Sequence, residues 1–166
     1  MKIPVPDLRV FILGSYRSTD GSRRDIGMLS LLERHLAGLG YDSFLAINRK
    51  RIDDLDLRGL SPREKTLRLA KNSDLNLFVF STTGVRNGLV AELTELQSRF
   101  PGLSWKHVVL LEKGLALSSI LDESEGGILS VGPVRQIEFE DERDLLEIAE
   151  QVAFNYALAK RMGHRP

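Results

Sequence analysis

Apolar residues along this chain fall into two alternating patterns: short unbroken runs, and stripes with a period of about 3.6. Residues 8–13 form a β-branched and aromatic run closed by Gly14-Ser15, which predicts a first strand. Residues 26–39 place Met28, Leu29, Leu32, Leu36 and Leu39 on one helical stripe, stopped by Gly38 and Gly40. A second strand is expected over 41–47, then a charged, irregular connection over 48–59. Ser61-Pro62-Arg63-Glu64 has the chemistry of a helix start: an N-cap serine, a proline at the first helical position and a glutamate three residues after the cap. That helix should reach Asn72. Strand three is expected over 75–81, and strand four over 108–112. Between them a helix over 88–100 carries Leu89, Leu93, Leu96 and Phe100 on its inner face. The last third is less regular. It predicts a short helix over 115–121, an acidic glycine-containing loop over 122–127 and a fifth strand over 134–139. A final amphipathic helix over 140–161 uses Leu145, Ile148, Ala149, Val152 and Tyr156, and the basic tail 160–166 is expected to fray.

Strand and helix alternate throughout, which predicts a single domain over 1–166 of the α/β class. The expected architecture is a flavodoxin-like, doubly wound, five-stranded parallel sheet covered on both faces. In that order the loops after strands one and three adjoin the same crevice, beyond the carboxyl ends of the strands.

Composition narrows the chemistry more than the fold. A chain of 166 residues suits one core, and 42% hydrophobic with 28% charged residues excludes disorder. The 23 basic and 23 acidic residues cancel, so no nucleic-acid partner is expected. The absence of cysteine removes disulfides, thiol nucleophiles and thiolate metal sites together. Met1-Lys2-Ile3-Pro4-Val5-Pro6-Asp7 lacks the apolar run of a signal peptide, and no segment is long and apolar enough for a membrane span. A soluble, cytoplasmic protein is the expectation. His35, His107 and His164 are not spaced for a metal, and neither a metal nor an organic cofactor is expected. The dinucleotide fingerprint, the phosphate-binding loop ending in Gly-Lys-Ser/Thr and the Gly-x-Ser-x-Gly elbow are all missing. Ser81 stands where a response-regulator receiver would need its aspartate. The small acidic cluster Asp53, Asp54 and Asp56 reads as a solvated loop.

Two loops at the carboxyl ends of strands hold the candidate chemistry. The first, over 14–24, is rich in glycine, hydroxyls and arginine, which suits an anion as well as a plain polar surface loop. The second leads into Asn87-Gly88-Leu89-Val90-Ala91-Glu92-Leu93. There Glu92 sits at the border of an apolar helix face beside the sheet edge. A half-exposed helix glutamate favoured by the helix dipole is the plain alternative.

In this order the residues resemble the nucleoside 2-deoxyribosyltransferase superfamily, most closely its 2′-deoxynucleoside 5′-monophosphate N-glycosidase branch. Gly14-Ser15-Tyr16-Arg17 resembles that branch's Gly-Ser-x-Arg loop. Gly88-x-x-x-Glu92-Leu93 is similar to its Gly-x-x-x-Glu-Leu, whose glutamate is the nucleophile. Leu117-Ser118-Ser119-Ile120-Leu121 resembles a segment whose serine reaches a phosphate in the neighbouring subunit. The resemblance implies Glu92 as nucleophile and Gly14, Ser15, Tyr16, Arg17, Arg86, Gly88 and Ser118 around a nucleotide or nucleoside. It also implies a homodimer or larger assembly. Leu115, Leu117, Ile120 and Leu121 add a slight sign of the same, if not all are buried within one subunit.

Two departures accompany it. The family's acidic residue, which assists the leaving base, lies about two turns before the strand-three aspartate. In the aligned stretch Arg63-Glu64-Lys65-Thr66-Leu67-Arg68, Glu64 is the carboxylate that would serve, displaced by roughly half a turn. Arg86 replaces a phosphate-binding serine just before the family's glycine. The leading expectation is an N-glycosidase or deoxyribosyltransferase. The alternatives are a non-catalytic nucleotide-binding module and a Toll/interleukin-receptor-like domain that cleaves NAD or serves in interaction.

Overall fold

The structure, a computed structural model, describes residues 7–48, 52, 53, 55–123 and 133–166. Strand β1 (Arg9–Gly14) lies inside the sheet, paired with β2 (Asp42–Leu45) on one side and β3 (Leu75–Phe80) on the other. Strands β4 (His107–Glu112) and β5 (Arg135–Phe139) complete it, in the order β2-β1-β3-β4-β5 with every pair parallel. This is the flavodoxin-like order, whose direction of winding reverses between β1 and β3. The register aligns Gly14 with Val79, so β1 and β3 end at nearly the same level and their following loops open side by side.

Successive side chains of a strand point to opposite faces. On β1, Val10 and Ile12 enter one core, while Phe11 and Leu13 enter the other. Helices α1 (Arg24–Gly38) and α5 (Glu142–Arg161) cover the first face through Met28, Leu29, Leu32 and Leu36, with Ala149, Val152 and Tyr156. Helices α2 (Pro62–Asn72), α3 (Asn87–Arg99) and α4 (Leu117–Glu123) lie on the second. They contribute Leu67, Leu69, Leu89, Leu93, Leu96, Leu117 and Ile120. A 3₁₀ turn over Pro101–Lys106 leads into β4. Because β3 and β4 are covered on both faces, all their residues are buried, and they read as continuous runs rather than alternating ones. At Gly14 the strand passes close under α1: a Cβ would stand 2.7 Å from Leu29 Cδ2, so that side chain would have to shift.

The helix start at Ser61 forms as expected, with Ser61 Oγ accepting from the Glu64 N–H at 3.2 Å. Strand β2 is shorter than expected, ending at Leu45. Helix α4 runs to Glu123, two residues into the expected loop over 122–127, and residues 124–127 lie outside the described residues. The tail expected to fray overlaps the end of the last helix. Helix α5 runs to Arg161, and Gly163 turns with φ of 74°. Its N–H donates to Lys160 O at 3.1 Å, and His164 N–H donates to Ala159 O at 2.8 Å. This pair of bonds closes the helix end, and only the left-handed backbone that glycine tolerates allows it. Among the described residues no helix is long and apolar enough to cross a membrane.

Candidate active site

Beyond the carboxyl ends of β1 and β3 lies a cleft of about 840 Å³. The loop after β1 brings Gly14, Ser15, Tyr16 and Arg17 to it, and the loop after β2 brings Ala46 and Ile47. Two helices supply the opposite wall with matching triplets. Pro62, Lys65 and Thr66 of α2, and Gly88, Ala91 and Glu92 of α3, are each spaced i, i+3, i+4, so each triplet shares one helical face.

Among the described residues lining the cleft, Glu92 is the only carboxylate. It makes no hydrogen bond or ion pair among the described residues. Burial raises its carboxyl to about 7, with the positive charge of Arg63 opposing. Across from it, Tyr16 Oη accepts the Ala46 N–H at 3.0 Å. Burial pushes the phenol up, that N–H opposes the rise, and the charge of Glu92 adds to it. The phenol therefore keeps its proton. Arg17 is exposed at the mouth, with no ion pair among the described residues. Gly88 has nothing within 4 Å of where a Cβ would stand, so neighbouring atoms do not demand glycine there. The space it leaves is cleft.

A buried polar network locks the two loops together. Asp25, 2% exposed in the first turn of α1, accepts the hydroxyls of Ser18, Ser81 and Thr83. Its own N–H donates to Ser18 Oγ at 3.1 Å. Ser15 Oγ accepts the N–H groups of Arg17 and Val85, each at 3.1 Å, and donates to Arg17 O. Gly84 pairs with Ser18, and a Cβ on it would come within 2.9 Å of Asp25 Oδ1. At the end of β4, Glu112 accepts from both terminal nitrogens of Arg24 and from the N–H and hydroxyl of Thr82. Burial pushes the Glu112 carboxyl up, but those hydrogen bonds outweigh it and hold the group below the ordinary carboxylate range.

The site residues expected from the sequence therefore separate. Gly14, Ser15, Tyr16, Arg17, Gly88 and Glu92 meet at the cleft. Glu64 does not. It lies about 200° round α2 from Pro62, and its carboxylate accepts from Arg99 Nη1 at 2.9 Å, within a chain that joins Arg63, Glu95 and Arg99 between α2 and α3. The half-turn displacement visible in the sequence is the physical reason: the position facing the cleft is Thr66, whose hydroxyl donates to Pro62 O. Arg86 caps α3 beside the cleft rather than among its lining residues, with Nη1 3.5 Å from Ser81 O. Ser118 is exposed on α4 and is absent from the lining, while Leu117 and Ile120 are buried in their own subunit. Leu117 and Ile120 thus give no sign of an interface, Leu115 is partly buried against the same core, and the side chain of Leu121 lies outside the described residues. Sequence reasoning missed Asp25 and Glu112, whose partners lie up to 88 residues away, and missed Lys65 and Thr66. The i, i+3, i+4 spacing from Pro62 was the available signal for the latter pair.

Among the described residues, no cluster of three or more histidine and acidic side chains is placed to hold a metal. His107 is buried, with Nδ1 facing the Asn76 amide at 3.2 Å, and burial lowers it to about 4, so it packs as a neutral ring.

No protein-family model and no curated protein matches this chain. Its structure is similar to that of a CMP N-glycosidase, BcmB, from Clostridium botulinum, with a TM-score of 0.54 and 16% identity over 86% of this chain and 98% of that one. It is also similar to a 2-deoxyribosyltransferase from Bacillus psychrosaccharolyticus, with a TM-score of 0.50 and 16% identity over 83% and 90% of the two chains. At such identity the likeness shows a shared fold, and this single-domain, parallel five-stranded α/β chain has the fold of those two enzymes.

Proposed function

We propose that this protein cleaves or transfers at the N-glycosidic bond of a nucleotide or nucleoside, with Glu92 as the nucleophile. The observation that carries the reading is a carboxylate without a partner, raised to about 7 by burial, on the wall of a cleft at the switch point of a parallel sheet. Breaking that bond leaves positive charge on the sugar, and a carboxylate at C1′ captures it as a glycosyl ester. Water then yields hydrolysis, and a second base yields transfer. Arg17, with the main-chain groups of Gly14 and Ser15, suits a 5′-phosphate, and Arg86 stands near enough to the α3 start to assist. Tyr16 lines the cleft and offers its hydroxyl as a hydrogen-bonding group to the sugar. Gly88 leaves room for the ligand. The fold shared with a CMP N-glycosidase and a 2-deoxyribosyltransferase supports the same chemistry. We further propose a homodimer in which Ser118 reaches the partner subunit's cleft.

A binding module without turnover is the second reading, favoured by the single carboxylate of the cleft. Incubating the protein with ribo- and deoxyribonucleotides, nucleosides and NAD, and assaying free base, separates the two. Release of base that Glu92→Gln abolishes is the expected result. Nucleotide binding with no base released from any of them would overturn the enzyme reading.

A further inference from the structure

Cleaving an N-glycosidic bond puts the bonding electron pair on the base, and an ordinary base leaves readily only when it is protonated as it departs. If Glu92 is the nucleophile, as read above, a group of this cleft supplies that proton. Glu64 is turned away and paired with Arg99. Among the described residues the lining holds no histidine and no second carboxylate. Arg17 and Arg63 do not release protons under ordinary conditions. Ser15 Oγ donates to Arg17 O, and Thr66 Oγ1 donates to Pro62 O. Tyr16 lies on the β1 wall, where burial and the charge of Glu92 both strengthen its hold on its proton. Lys65 remains. It is half-buried on the cleft face of α2, in the triplet that shares one wall of the cleft with the Glu92 triplet of α3. Its neighbours Arg63 and Glu64 are tied to α3 by ion pairs, whereas its ammonium has no partner among the described residues.

We propose that Lys65 is the proton donor to the leaving base, a task that the resembled family gives to a carboxylate. Glu92 bonds to C1′ as the C1′–N bond breaks. The electron pair passes to the base nitrogen, which takes a proton from Lys65 Nζ. Water then attacks C1′, the ester bond to Glu92 breaks, the water's hydroxyl stays on the sugar, and its proton returns to the neutral amine of Lys65. Base and sugar are released with one water consumed.

A base that leaves as a neutral molecule from a cationic glycoside needs no such donor, which supplies the test. Base release by wild type, Lys65→Met and Lys65→Arg is measured on two pairs: guanosine 5′-monophosphate against its N7-methylated form, and cytidine 5′-monophosphate against nicotinamide mononucleotide. Lys65→Met should lose about 100-fold or more on the ordinary nucleotide and less than about threefold on its cationic counterpart. Lys65→Arg, which keeps the charge but gives up no proton, should behave like Lys65→Met. An equal loss on both members of a pair, or full activity of Lys65→Arg, would make Lys65 an anion-binding group and overturn the proposal. Wild type that cleaves the cationic substrates, through Glu92, keeps the reading of the nucleophile standing whatever Lys65 does. Wild type that cleaves none of the four overturns both.

Discussion

Between its ordinary value of 4.5 and the value near 7 that it has in the fold, Glu92 keeps a proton in the folded chain that the unfolded chain has already lost. The folded state therefore binds more protons over that window, and stability falls as pH rises through it. Below 4.5 both states are protonated and nothing is lost; above about 7 the full cost of a desolvated charge is in place. Glu92→Gln removes the charge, so its gain in stability over wild type should grow from pH 5 to pH 8, reaching about 1–3 kcal/mol. Thermal melts across that range check it, and a constant difference would contradict the burial argument. Activity should run the opposite way, since the nucleophile is the ionised form: kcat/KM should rise with pH up to about 7. Gly88 offers a parallel conflict between stability and function. With nothing within 4 Å of its missing Cβ, Gly88→Ala should stabilise α3 by about 0.5–1 kcal/mol. The methyl group would stand in the cleft, so ligand binding or base release should fall in the same variant. A rise in melting temperature without any loss of binding would place the ligand elsewhere.

Among the elements, the loops after β1 and β3 depend on the first turn of α1 rather than on each other alone. Asp25 receives three hydroxyls from Ser18, Ser81 and Thr83, and Arg24 beside it ties Thr83 to Glu112 on β4. Asp25→Ala leaves those hydroxyls, of which that of Ser81 is buried, without an acceptor and should cost about 2–4 kcal/mol in urea unfolding. It should also lower activity, because Arg17 and the start of α3 then lose their common anchor. Asp25→Asn, which keeps one carbonyl acceptor, should lose less. The elements themselves were legible in the sequence: apolar runs fix strands buried on both faces, and the Ser61-Pro62 start sets α2 through local chemistry. The network was not. Asp25 looks like any acidic residue at a helix start, and its meaning comes from Ser81 and Thr83, some sixty residues away in sequence and brought near only by the β1–β3 register. The same holds for Glu64. Its sequence position suggested a leaving-group acid, whereas the helical phase set by Pro62 turns it toward Arg99.

At the scale of the whole molecule, one subunit holds Glu92, Tyr16 and Arg17 in one cleft but leaves Ser118 exposed on α4, outside that cleft. A serine placed there serves the chemistry only if a second copy presents its own α4 to the opening. The proposed homodimer can therefore be tested by function as well as by mass. Light scattering should return a mass above the 18.6 kDa of one chain, and Ser118→Ala should weaken nucleotide binding without lowering the melting temperature of the dimer. The sharper test is to mix two defective variants. Glu92→Gln lacks a nucleophile in every cleft of its own dimer, and Ser118→Ala lacks the reaching hydroxyl in every cleft. If the sites are shared, a mixed dimer assembles one cleft from the intact Glu92 of one chain and the intact Ser118 of the other, because a symmetric interface exchanges the same groups in both directions. Activity of the refolded mixture should then exceed the sum of the two variants measured apart. If each subunit works alone, every cleft keeps its own defect, and mixing restores nothing.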